Sequence, residues 1–207
     1  MAPKGHSLSA PPPLALRHEF ARKTLHLAAA VFPVAYSLGA SRTALVSALA
    51  AMSAIALIVE GLRRWNASFR ETFTRTVGDL TRQHEQHAIT GATWLTLSCL
   101  VAVAVLSRSA AIAALWCATV GDPAATIAGR WSAQSASEPS VAPGKTLTGS
   151  VACALASFAG VWMVAGYPPL VAVVIAAAAA LAEAWPLRID DNIRVAGAAG
   201  VVAQLLA

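Results

Sequence analysis

The chain has 207 residues, 57% of them hydrophobic and only 12% charged, with a mean hydropathy of +0.62. This balance excludes an ordinary soluble domain and points to an integral membrane protein. Fifteen Lys and Arg against ten Asp and Glu leave a formal charge of +5; a lipid bilayer, and no nucleic acid, is expected as partner.

The stretch Met1 to Pro13 lacks the apolar core and small-residue cleavage site of a secretory signal. Residues 1–16 read as a disordered tail and 17–207 as one membrane-embedded domain. Apolar runs of about 17 to 25 residues mark spanning helices. They predict helices near Leu25–Ala40, Thr43–Val59, Ala88–Leu106, Ala110–Ala128, Thr148–Gly166, Pro168–Ala182 and Ile193–Ala207, about seven spans, the first and last two short. The expected fold is an all-α polytopic bundle with a cytoplasmic N-terminus. In that orientation only Arg42 and Arg108 of the fifteen basic residues fall in outer turns, and all ten acidic residues stay inside. The positive-inside rule selects this arrangement. Every group able to hold a metal or a phosphate then lies on one face, whereas a transporter would usually need polar groups near the midplane and on both sides.

Along the chain, Glu19, Arg22, Lys23 and His26 come first, at i, i+3, i+4 and i+7 on one helical stripe. Arg22 and Lys23 suit phosphate and His26 a hydroxyl; they are equally interfacial anchors. Glu60 ends the second helix with Arg63 and Arg64, and an i, i+4 pair with Arg64 is its expected use. Thr90, Gly91 and Thr93 open the third helix and suit a close helix contact.

Gly121-Asp122-Pro123 leads to Gly129-Arg130 in an otherwise apolar helix. An acid there is expensive unless it is paired or holds a cation, and marks a functional site. Its Gly, Pro and Ala neighbours suit a break in the helix and a close approach to a ligand. The alternative is an Asp122–Arg130 pair closing the helix end. Pro143-Gly144-Lys145-Thr146 precedes the fifth helix and suits phosphate, since backbone N–H groups and the helix dipole add to the Lys charge. The Walker spacing fails, because Pro139 stands where glycine is needed and no apolar strand precedes. Glu183 ends the sixth helix, and Asp190-Asp191-Asn192 opens the seventh. Such carboxylates hold hard cations together with phosphate oxygens, although capping of the seventh helix would use one of them. Cys99, Cys117 and Cys153 sit singly in apolar runs and read as packing residues.

In this order, Arg22-Lys23-x-x-His26, Glu60, Gly91-Ala92-Thr93, Gly121-Asp122 with Gly129-Arg130, Lys145-Thr146 with Gly149-Ser150, and Glu183 with Asp190-Asp191-Asn192 resemble the CTP-dependent lipid kinases. That family includes dolichol and polyprenol kinase, the CTP-using diacylglycerol kinase, phytol kinase and short bacterial relatives. The resemblance runs from Arg22 to Asn192 and rests on the order of the motifs. Thr148 departs from it, where many relatives carry an acid, as does Pro123, where they often carry Thr or Ala.

The resemblance implies a multi-pass kinase of a prokaryotic cytoplasmic membrane that moves a phosphoryl group from CTP, with Mg²⁺ or another divalent cation, to a lipid hydroxyl at the cytoplasmic face. Asp122, Asp190, Asp191 and Asn192 are then expected to hold the cation. Arg22, Lys23, Gly121, Arg130, Gly144, Lys145 and Thr146 would contact the nucleotide, and His26 or Glu183 would take the hydroxyl proton. The competing readings are a CTP:phosphatidate cytidylyltransferase, whose family shares a Pro-Gly-Lys-Thr loop, and a non-catalytic transporter or assembly factor.

Overall fold

The computed structural model describes residues 13–78, 81, 88–133, 138–142, 144–185, 187 and 189–207, with side chains from Phe20 onward. In chain order the elements are α1 (Pro13–Ala28), α2 (Val31–Ser37), α3 (Arg42–Trp65), α4 (Ala67–Val77), α5 (Gly91–Val105), α6 (Arg108–Trp116), a π turn (Cys117–Gly121), α7 (Asp122–Ser132), the strands β1 (Ser140–Ala142) and β2 (Lys145–Thr146), α8 (Leu147–Met163), α9 (Pro169–Ala184) and α10 (Asp191–Leu205). Helix starts follow their caps: Ser41, Asn66, Thr146 and Asp190 accept backbone N–H groups at the heads of α3, α4, α8 and α10. Gly39 and Gly166 take left-handed φ of 111° and 78° after α2 and α8.

Every expected apolar segment is helical, with four differences in detail. Helix α1 begins at Pro13, inside the expected tail. The first span is broken between α1 and α2, because Pro33 has no N–H and its ring crowds the carbonyl of Ala29; Ala29 and Ala30 close short turns onto His26 and Leu27 instead. Helix α4 lies between the second and third expected spans, where no apolar run marks a helix. A short antiparallel hairpin, β1 to β2, pairs Ser140 with Thr146 and Ala142 with Lys145; β1 follows Pro139 and so lies inside the stretch that a Walker loop would occupy.

Two helices are long and apolar enough to cross a membrane, Arg42–Trp65 and the continuous Arg108–Ser132. The apolar helices Gly91–Val105, Leu147–Met163 and Pro169–Ala184 are shorter; 15 residues of α-helix give about 22 Å against a hydrocarbon layer of roughly 30 Å.

The side-chain contacts sort the helix ends into two groups. At one end Arg42 donates to Leu106 O at 2.6 Å, Arg108 donates to Ala40 O at 3.3 Å and stacks on Tyr36, Ser107 N donates to Gln204, and Tyr167 donates to Ala203 O at 2.9 Å. Of these acceptors, Leu106 O and Ala203 O are helix-end carbonyls of α5 and α10. At the other end lie Lys23, Glu60, Gly91, Asp122, Lys145, Glu183 and Asn192, joined by the bonds described below. Among the described residues the chain passes between the two ends seven times, as α1–α2, α3, α5, α6–α7, α8, α9 and α10.

Small residues set how closely these passes pack. Ala110, Ala113, Ala172, Ala179 and Ala199 are fully buried, and a Cβ on Gly160 would lie 2.0 Å from Trp116 Nε1. Trp116 fills that space and donates to Ala156 O at 3.0 Å. Outward, α3, α8 and α9 expose Ile55, Ile58, Leu155, Leu170 and Leu181, an apolar exterior larger than a water-facing surface normally carries.

Candidate functional site

Helical spacing in α1 puts Lys23 and His26 on one buried face, against α7 and the head of α10. Lys23 Nζ donates to Asp122 Oδ2 at 2.5 Å, with both side chains buried. Asp122 Oδ1 is also buried and has no hydrogen-bond partner among the described residues. Pro123 cannot donate to the carbonyl of Thr119, and its ring crowds that carbonyl. The helix answers by widening into the π turn Cys117–Gly121 rather than by breaking, so the expected break is absent and Arg108–Ser132 stays continuous. Such turns often accompany functional residues; here Asp122 follows directly.

Asn192 ties three elements. Its Nδ2 donates to Gly91 O at 3.1 Å and to Asp190 Oδ1 at 2.8 Å, which leaves Oδ1 to accept from His26 Nε2 at 2.6 Å. The His26 tautomer follows: Nε2 carries the hydrogen, and Nδ1 remains the acceptor of a neutral ring. Asp190 Oδ1 also accepts the N–H of Asn192 at 3.0 Å and so caps α10.

Lys145, on β2, donates to Glu183 Oε1 at 2.5 Å and to Asp191 Oδ2 at 3.4 Å. Burial lowers the pKa of its ammonium, but Asp191 and Glu183 outweigh burial and hold it above the ordinary value. Arg194 pairs with Asp191 and donates to Ala182 O at 2.8 Å and to Trp185 O, fastening the end of α9 to α10.

These groups border a cavity of about 310 Å³. Its polar end is formed by Arg22, Lys23, His26, Asp122 and Asp190 to Asn192, and its apolar body by side chains of α1 to α5. Lys145 and Glu183 stand behind Asp191. Gly121, Gly144, Arg130 and Thr146 do not line it. Gly121 faces Ser157 of α8, where a Cβ would come within 2.3 Å of Oγ; Arg130 is exposed; Gly144 forms the hairpin turn at φ 74°; and Thr146 accepts the N–H of Gly149 to start α8. The motif residue Pro143 and the side chain of Glu19 lie outside the described residues.

Among the described residues no three His, Cys, Asp or Glu side chains are grouped as a metal site. The donor set still suits a hard cation that shares its coordination with phosphate, because Asp122 Oδ1 is a buried carboxylate oxygen with no other use and Asp190 and Asp191 line the same cavity.

Several pairings were not legible from spacing. Asp122 pairs with Lys23 rather than Arg130. Glu60 binds Arg63 at 2.9 Å, not Arg64, and also accepts from Thr90 N at 2.8 Å and Thr93 Oγ1 at 3.2 Å. Arg194 carried no signal beyond its place after the acidic pair. No family model, curated protein or solved structure matches the chain.

Proposed function

We propose that the protein is an integral membrane lipid kinase, crossing the bilayer about seven times with its N-terminus in the cytoplasm. It transfers the γ-phosphoryl group of a nucleoside triphosphate, CTP by resemblance, to the hydroxyl of a polyprenol, diacylglycerol or phytol-like alcohol. The observation that carries this reading is the junction of Lys23–Asp122, His26–Asn192 and Lys145–Glu183–Asp191 around the polar end of an otherwise apolar cavity. Its apolar exterior and its two differently charged ends favour the membrane orientation given by the basic residues.

Phosphoryl transfer asks a protein for positioning and for neutralised phosphate charge. Arg22 and Lys23 would take the phosphates, with Lys145 behind Asp191 holding that carboxylate in place. A divalent cation held by Asp122, Asp190 and Asp191, assisted by Asn192, would neutralise charge on the triphosphate. His26 is the better base of the two considered, because it lines the cavity with Nδ1 left as acceptor, whereas Glu183 is bound to Lys145.

The test is protein in nanodiscs with Mg²⁺, labelled CTP or ATP, and a panel of undecaprenol, diacylglycerol and phytol. The expected result is γ-label in one lipid alcohol, lost in Asp122→Asn. Transfer of α-label from CTP to phosphatidate would instead identify a cytidylyltransferase, and silence from a folded, nucleotide-saturated sample with every lipid would refute the reading.

A further inference from the structure

The cavity has a shape that the transfer reaction alone does not require. Leu25 on α1 and Met52 on α3 both line it, yet are 62% and 41% exposed, while Leu49, one turn from Met52 in the direction of the opposite end of the molecule, is 1% exposed. The cavity is therefore open at its side, between two helices, and closed at its back. Its two lips belong to separately packed units, for α1 packs on α7 and the π turn while α3 packs on α5 and α4. Apolar residues flank the mouth on both helices, Leu25 on α1 and Met52 and Ile55 on α3, all of them exposed.

Helix α4 supplies the remaining wall. It has no buried residue and packs on α3, yet Phe73 and Val77 line the cavity. Phe73 is held from behind: the Arg63 guanidinium lies 4.6 Å from its ring centroid, Glu60 holds Arg63, and the other Glu60 oxygen takes Thr90 and Thr93 at the head of α5. A buried carboxylate that does not itself line the cavity thus ties α4 to the head of α5, where it accepts from the cavity-lining Thr90.

We infer that the apolar half of the cavity receives the hydrocarbon chain of the acceptor sideways, through the mouth between α1 and α3, and that Phe73, positioned by Arg63 and Glu60, selects which chains are admitted. This rests on the lipid-phosphorylating reading above and adds the acceptor's route and a selecting residue. A chain lying there with its head toward His26 and Asp122 keeps its methylenes against Leu25, Met52 and Leu49 and out of water. Glu60 and Arg63 are positioning residues on this account.

The experiment uses a long-chain alcohol carrying a mid-chain diazirine, photolysed with the full-length protein in phosphatidylcholine nanodiscs without nucleotide, and adducts are mapped by mass spectrometry. Adducts should cluster on the cavity-facing positions of α1, α3 and α5 and be displaced by unlabelled alcohol. Met52→Trp, which narrows the mouth at an exposed position, should lower them about tenfold. Phe73→Ala and Arg63→Lys should both shift the preference toward bulkier chains, because lysine keeps the charge but loses the planar stack.

Adducts confined to the outer faces of α8 and α9, or cavity adducts indifferent to Met52→Trp, would overturn the proposal. So would displacement by phosphatidylcholine as effective as by the alcohol, which would mark an ordinary bilayer chain. The two readings fail separately: cavity labelling without any phosphoryl transfer removes the kinase and leaves the mouth, while transfer without cavity labelling does the reverse.

Discussion

At the residue scale the decisive contact is Lys23–Asp122, two buried charges 2.5 Å apart. Removing one partner of such a pair leaves the other charge buried and uncompensated, which costs about 3–5 kcal/mol. Lys23→Met should therefore destabilise by about that much in reversible unfolding, and the double variant Lys23→Met/Asp122→Asn should recover most of the loss; additive effects would mean that the charges do not interact. Lys145 gives a pH signature. Its pKa is raised in the folded protein, so its contribution is complete below the ordinary value of 10.5 and is lost as pH rises through the higher folded value. Thermal stability should thus hold from pH 8 to 10 and fall beyond, and Lys145→Arg, which stays charged, should flatten that fall.

The carboxylates and Lys145 stood out in sequence because charge is scarce in an apolar chain. Their partners did not, since Lys23–Asp122 and His26–Asn192 close over 99 and 166 residues, and spacing on one helix carries no information about that distance. Local spacing misled in the same way at Glu60, where Arg64 was one turn away but Arg63 lay on the buried face.

At the element scale, apolar length gave the positions of the seven helical passes, because burying a backbone away from water demands a helix. Proline effects were only half legible. Pro33 and Pro123 both remove a donor, but one follows the end of a helix and the other a π turn, whose last residue, Gly121, packs closely on Ser157. Helix α4 was hidden by its polarity, its one apolar side being only Phe69, Phe73 and Val77. Glycine use on the helix faces is tested by a matched pair. Gly160→Ala drives a methyl into the Trp116 ring and should destabilise by about 1–3 kcal/mol or more. Gly197→Ala meets nothing within 4 Å and should stabilise by up to about 1 kcal/mol through helix propensity. Equal effects in unfolding measurements would contradict the α6–α8 packing.

At the scale of the whole molecule, the two arginines at the end opposite the site are both spent on helix carbonyls, and the ionisable cluster gathers at the other end. A cysteine introduced at Arg130, with the buried native cysteines as a silent background, should react with a membrane-impermeant maleimide only from the cytoplasmic side. One introduced at exposed Ser41 should react only from the opposite side, and labelling of both from one side would refute the seven-pass orientation. That cluster is the heart of the account, since a clasp holding helix ends together and a triphosphate site make different demands on Asp122.

The most direct measurement is equilibrium binding of CTP, with and without Mg²⁺, to wild type and Asp122→Asn in nanodiscs, with unfolding followed on the same samples. Wild type should bind CTP saturably and only with the cation, and a still-folded Asp122→Asn should bind it about tenfold or more weakly. Binding that ignores the cation or the substitution, or its absence in folded wild type, would contradict the proposed function.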